Sequence, residues 1–165
     1  SDTLVAVENL IGSDFGDTLG GDGGANAIVG GRGNDCIAGA AGDDALDGGT
    51  GRDTLAGGTG ADVLTGGMMG DVFVFAALNE GIDRITDFDA ADRIDVSAID
   101  ADPGTGPDNA FAFIGGAAFT AVGQLRVVQS GGETRVELST DADSAAEFTI
   151  RLDGLVTLIA NDFVL

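Results

Sequence analysis

The sequence predicts an all-β protein in two parts, a stack of nine-residue coils followed by antiparallel strands. Three observations carry that prediction. A glycine-rich nonapeptide runs in register, without insertion, from Gly12 to Val74. Each of its units carries one apolar residue and one short polar residue at fixed positions. From Phe111 onward the glycine period is gone and alternating runs such as RVVQSGGETRVELS (126–139) take its place.

The seven units read GSDFGDTLG (12–20), GDGGANAIV (21–29), GGRGNDCIA (30–38), GAAGDDALD (39–47), GGTGRDTLA (48–56), GGTGADVLT (57–65) and GGMMGDVFV (66–74). Their eighth position is Leu19, Ile28, Ile37, Leu46, Leu55, Leu64 and Phe73; their sixth is Asp17, Asn26, Asp35, Asp44, Asp53, Asp62 and Asp71. Glycine at the first, second and fourth positions permits positive φ and close backbone approach. Each unit is expected to hold six turn residues and a three-residue strand pointing out, in, out, with only the eighth position inward. One unit cannot cover its own leucine, but units stacked about 4.8 Å apart can. If each nonapeptide reverses the chain, alternate units form two facing sheets. The columns are then Leu19, Ile37, Leu55, Phe73 and Leu10, Ile28, Leu46, Leu64.

Charge decides what the turns do. The chain has 28 acidic and 7 basic residues, a formal charge of −21, and no lysine. Such a surface repels nucleic acid and anionic membranes and attracts cations. Of the acids, 23 are Asp and 5 are Glu; short carboxylates suit turns and tight ion coordination. Stacking lines up Asp17, Asp35, Asp53 and Asp71 on one edge and Asn26, Asp44 and Asp62 on the other. Neighbouring carboxylates there repel by roughly 1 kcal/mol in water and about 3 at an effective dielectric of 20. A hard divalent cation between turns reverses the sign, because Ca²⁺ takes about 6–8 oxygens from carboxylates and carbonyls. The expected ligand set is therefore the aspartates with the backbone of Gly30, Gly31, Gly33, Gly39, Gly42, Gly48, Gly49, Gly51, Gly57, Gly58 and Gly60.

Other chemistry is excluded by what is missing. There is no His, Trp or Tyr, which removes Ser-His-Asp and Cys-His nucleophiles and His-ligated zinc. Cys36 is the single cysteine, so no internal disulfide or thiolate cluster forms. No run approaches the ~20 apolar residues of a spanning helix. Ser1-Asp2-Thr3 does not resemble a signal peptide, and with no initiating Met the sequence is expected to be a piece of a longer chain.

The pattern G-G-x-G-x-D-x-(apolar)-x closely resembles the RTX calcium-binding repeat. The resemblance implies a parallel β-roll with ions shared between turn n and turn n+2. It carries over most directly to Asp35, Asp44, Asp53 and Asp62. Departures lie at Phe15 and Met69, which replace the fourth glycine, at Ala40, which replaces the second, and at Asn26, which replaces a carboxylate. Beyond Val74, DRITDFDAADRIDVSAID (83–100) resembles the segment after the roll in serralysin-type secreted metalloproteases, where similar aspartates bind a further ion. Asp87, Asp89 and Asp92 are the matching positions here. A Pro/Gly/Asp linker is expected over 102–109.

The second half reads as a hairpin around Ser-Gly-Gly (126–139) and a strand EFTIRLDG (147–154) with Phe148, Ile150 and Leu152 on one face. DADSAAE (141–147) lacks the glycine and bidentate Glu of an EF-hand and reads as a turn. The stretch from FAFIGGAAFTAVGQLRV to LIANDFVL resembles the C-terminal region of RTX exoproteins exported by type I systems. Its closing Asp162-Phe163-Val164-Leu165 matches their final acidic-apolar motif.

The expected organisation is a β-roll over 1–76 and a C-terminal β cap with a secretion signal over 77–165. The expected function is a monomeric, extracellular, non-catalytic module. It is unfolded during transport by a type I secretion transporter and folded afterwards by calcium. Two alternatives belong to other classes. Glycosidase chemistry needs two carboxylates in a cleft, but the regular aspartates are assigned as ligands and no insertion opens the stack. A surface adhesin, surface-layer or carbohydrate-binding role would favour outward aromatics, yet the outward Ala45, Thr54, Ala56 and Thr65 are small.

Overall fold

The computed structural model describes residues 8–78, 81–104, 109–141 and 143–165. Among them there is no α-helix, and strands form two sheets. Odd-numbered coils make the first sheet: β1 (Asn9–Ile11), β3 (Ala27–Arg32), β5 (Ala45–Thr50) and β7 (Val63–Met68). Even-numbered coils make the second: β2 (Thr18–Gly20), β4 (Cys36–Ala41), β6 (Thr54–Thr59) and β8 (Val72–Val74). Each pairs in parallel with the strand two units on, Ile28 with Leu46 and Ile37 with Leu55. The chain thus reverses at every nonapeptide and returns after 18 residues, as the repeat predicts.

The strands are longer than expected. From β3 to β7 they run six residues, from the seventh position of one unit to the third of the next, with burial alternating about two inward sites, whereas β1, β2 and β8 keep three. One is the eighth position and the other is the first-position glycine of the following unit, Gly39 after Ile37 and Gly48 after Leu46. A glycine here does not end the strand; it lets the inward face hold something other than its own side chain.

The stack also runs on past Val74, where the glycine period stops. β9 (Arg84–Ile85) pairs with β7, and β10 (Arg93–Asp95) pairs with β8, both parallel. Ile85 thereby extends the Leu10–Leu64 column and Ile94 the Leu19–Phe73 column. The linker anticipated over 102–109 lies partly outside the described residues.

The remainder closes this end of both sheets. β12 (Gln124–Ser130) and β13 (Glu133–Ser139) form the expected hairpin, with Gly131 and Gly132 at φ 64° and 87° in its two-residue turn. β14 (Phe148–Asp153) joins β13 antiparallel and β9 parallel, so the hairpin extends the first sheet. β11 (Ala112–Phe113) departs from the antiparallel expectation and runs parallel to β12. A 3-10 turn (Ala160–Asp162) leads to β15 (Phe163–Val164), which adds to β10 of the second sheet. One continuous apolar core results, in which Phe73 stacks near Phe88 and Phe113 near Phe163.

Candidate metal centre

The sixth-position residues form two ladders inside the turns. On one edge the amide of Asp17 donates to Oδ1 of Asp35, that of Asp35 to Asp53, that of Asp53 to Asp71, each at 2.8 Å. On the other, Asn26 donates to Asp44 at 2.7 Å and Asp44 to Asp62 at 2.8 Å. Each carboxylate from Asp35 to Asp71 is at least 98% buried. One oxygen of each is thus held by the preceding turn.

The other oxygen has no donor. Oδ2 of Asp35, Asp44, Asp53, Asp62 and Asp71 lies buried without a hydrogen bond. A buried carboxylate oxygen left this way costs several kcal/mol. It sits over the first-position glycine of its own turn, and in the Asp35, Asp44 and Asp53 turns beside a carbonyl of the next: a Cβ on Gly48 would stand 2.6 Å from both Asp53 Oδ2 and the Gly66 oxygen. Gly30 and Gly39 make the same cradle with Asp35 and Asp44, against the carbonyls of Gly48 and Gly57. Two acceptors converge where a side chain would otherwise fit. That arrangement suits a hard cation.

Glycine therefore has three separate duties. The first position makes room for the carboxylate and does not use positive φ, contrary to expectation. The second (Gly31, Gly49, Gly58, Gly67) has φ of 96–108°. The fourth (Gly33, Gly42, Gly51, Gly60) has φ of 110–150°, and any Cβ on Gly51 or Gly60 would overlap the carbonyl of Gly33 or Gly42, 18 residues earlier. Ala40 and Met69, which replace glycine at such positions, are the two described non-glycine residues with positive φ, 82° and 88°.

Electrostatics agree with the geometry. Burial, chiefly, raises the carboxyl pKa of Asp44, Asp53, Asp62 and Asp71; the amide bond from the preceding turn opposes it, and neighbouring aspartates add to it. Without a counter-charge these groups resist ionisation.

Asp83 is the ladder residue that the repeat did not mark. The amide of Asp62 donates to its Oδ1 at 2.8 Å, across 21 residues, and Gly81 at φ 102° abuts the Gly60 carbonyl as a fourth-position glycine does. The signal is present in GIDRIT (81–86), which matches positions four to nine once three residues are inserted after Val74. Asp92 likewise takes the next rung, accepting from Asp71 at 2.9 Å and from Asp89 at 2.8 Å. Asp87 accepts from the amides of Gly66 and Gly67, and Asp89 from Ala91. The structure thus assigns Asp87, Asp89 and Asp92 to different backbone amides. Elsewhere, Asp141, Asp143 and Glu147 bring ligand atoms within 4.8 Å of one another in the loop read as a turn.

A parallel β-roll with inward carboxylates on both edges defines the class of domain. Over residues 4–165 the chain matches the model of the peptidase M10 serralysin C-terminal family, and it belongs to that family. Among solved structures it is similar to the AlgE6R2 subunit of the Azotobacter vinelandii mannuronan C5-epimerase, at 31% identity over 94% of this chain and 91% of that one, with a TM-score of 0.54. The AlgE6R3 subunit of the same enzyme matches at 36% identity over 93% and 80%, with a TM-score of 0.33. The extracellular lipase LipA of Serratia marcescens matches at 14% identity over 100% of this chain and 41% of the lipase, with a TM-score of 0.41. The comparison with curated proteins yields no match. The fold is the RTX-type β-roll, consistent with a calcium-binding module.

Proposed function

We propose that this chain is a non-catalytic, calcium-dependent folding module of a secreted protein. Its ligands would be the sixth-position aspartates and the carbonyls of the glycine turns. The observation that carries this reading is the row of buried, donorless Oδ2 atoms, set beside carbonyls at Asp35, Asp44 and Asp53. A bound Ca²⁺ supplies the positive charge that those oxygens lack. The chain's own contribution is to hold Oδ1 with an amide, to aim Oδ2 inward, and to clear the space with a first-position glycine. Without the ion, the acidic, glycine-rich chain favours an expanded state suited to passage through a type I transporter. Outside the cell, binding supplies folding energy. The C-terminal Asp162–Leu165 segment is proposed as the export signal, residues 77–165, whose strands β9 and β10 continue the stack before the cap begins, as the part that carries it, and the folded module as an extracellular monomer.

The test is a titration followed by far-UV circular dichroism. Calcium should produce a cooperative gain of β signal at ~10⁻⁴ to 10⁻³ M, the range of extracellular modules. Magnesium should not, since it demands a tighter octahedron and keeps its water. A fully folded roll in excess chelator would falsify the ligand assignment.

A further inference from the structure

The turns of Asp17 and Asn26 are built differently from the turns that follow them. Ser13 holds the second position of its unit, and its amide and hydroxyl both donate to Oδ2 of Asp17, at 2.6 and 2.8 Å. On the other edge the second-position amide of Asp22 donates to Oδ1 of Asn26 at 3.0 Å. These are the oxygens that face the first-position glycines, Asp17 Oδ2 at Gly12 and Asn26 Oδ1 at Gly21. They occupy the place that donorless Oδ2 atoms hold at Asp35, Asp44, Asp53, Asp62 and Asp71. In the first turns the inward oxygen is satisfied from within its own turn. In the later turns it is not.

We propose that ion binding begins at Asp35 on one edge and at Asp44 on the other. The Ser13–Asp17 and Asp22–Asn26 turns are closed by their own hydrogen bonds and need no metal. An N–H aimed at the inward oxygen puts positive partial charge beside the position a cation would take, and the hydrogen bonds remove the need for one. Asn26 gives the same reason in covalent form, since an amide oxygen brings no net charge. Asp17, although it matches the repeat, is a cap residue on this assignment and not a ligand. The inference rests on the calcium reading above and divides its sites.

Equilibrium dialysis of the full chain against calcium, with metal counted by atomic emission, tests it. D17N should bind as many ions as the unaltered chain, D53N at least one fewer, and N26D no more than the unaltered chain. Circular dichroism at saturating calcium confirms that each variant is folded. Loss of an ion in D17N, or gain of one in N26D, overturns the assignment while leaving the calcium reading intact. Absence of bound calcium from the unaltered chain overturns both.

Discussion

The amide of Asp71 donates to Oδ1 of Asp92 at 2.9 Å, although Asp92 lies in a stretch without a single glycine. The bond continues the one from Asp53 to Asp71 at 2.8 Å. Asp92 is 3% exposed and also receives the amide of Asp89. It links the roll to the segment after it.

Asp92→Ala should therefore destabilise the folded protein even with calcium saturating. Two amides lose their acceptor, at about 1–3 kcal/mol for each that stays buried. Urea unfolding in excess calcium measures the loss. An unchanged midpoint would show that Asp92 is not a structural rung.

Proton linkage gives a second expectation. Burial raises the carboxyls of Asp44, Asp53, Asp62, Asp71 and Asp92 above their ordinary value. Such groups hold more protons folded than unfolded, so their contribution is present below the unfolded pKa and lost as pH rises through the folded one. In calcium-free buffer, β signal should increase as pH falls from neutrality toward the raised pKa of these carboxyls, just above the ordinary carboxylate range. The calcium midpoint should move to higher concentration over the same range, because protons compete for the ligands. A calcium-free chain that loses structure on acidification contradicts this sign.

The two positive-φ replacements offer a third. Ala40→Gly and Met69→Gly should each stabilise the roll by about 0.5–1 kcal/mol, since a side chain at positive φ costs more than the extra freedom of glycine in the unfolded chain. Gly51→Ala should do the reverse and prevent ordered stacking, because its Cβ would overlap the Gly33 carbonyl. Thermal melts at fixed calcium rank the three.

The C-terminal tail supplies the fourth. Phe163 is 7% exposed, pairs with Ile94 in the second sheet and lies 5.3 Å from the Phe113 ring between centroids. Phe163→Ala should cost about 3 kcal/mol without lowering the number of bound ions. Deleting 162–165 should also sharply reduce export by a matched type I system. Normal export of the truncated chain with lost folding would make the tail a structural strand and not a signal.

Much of this was legible in the repeat. Sixth-position spacing placed Asp35, Asp44, Asp53 and Asp62 on their ladders, and eighth-position spacing gave the columns from Leu10 to Phe73. What the pattern hid follows from two facts. Three inserted residues after Val74 shift the register, so Asp83 and Asp92 stand 21 residues from their partners and look like part of a different segment. A glycine also looks alike whether it supplies positive φ, as at Gly51, or space for a neighbour's carboxylate, as at Gly48; only the folded backbone separates the two. The destination of β15 was equally hidden. Two residues carry too little pattern to say that Phe163 extends the Ile94 row and not the hairpin.

One further property follows from the 18-residue return of the chain. Among the described residues, β11 and β15 stand at one end of the two sheets and β1 and β2 at the other. Tension applied at the N-terminal side would meet one coil at a time, because each coil is bonded only to its neighbours. Every coil released would lengthen the tether by about 60 Å at full extension. Under load the domain would pay out like line from a reel, in equal steps, with bound calcium setting the force of each click.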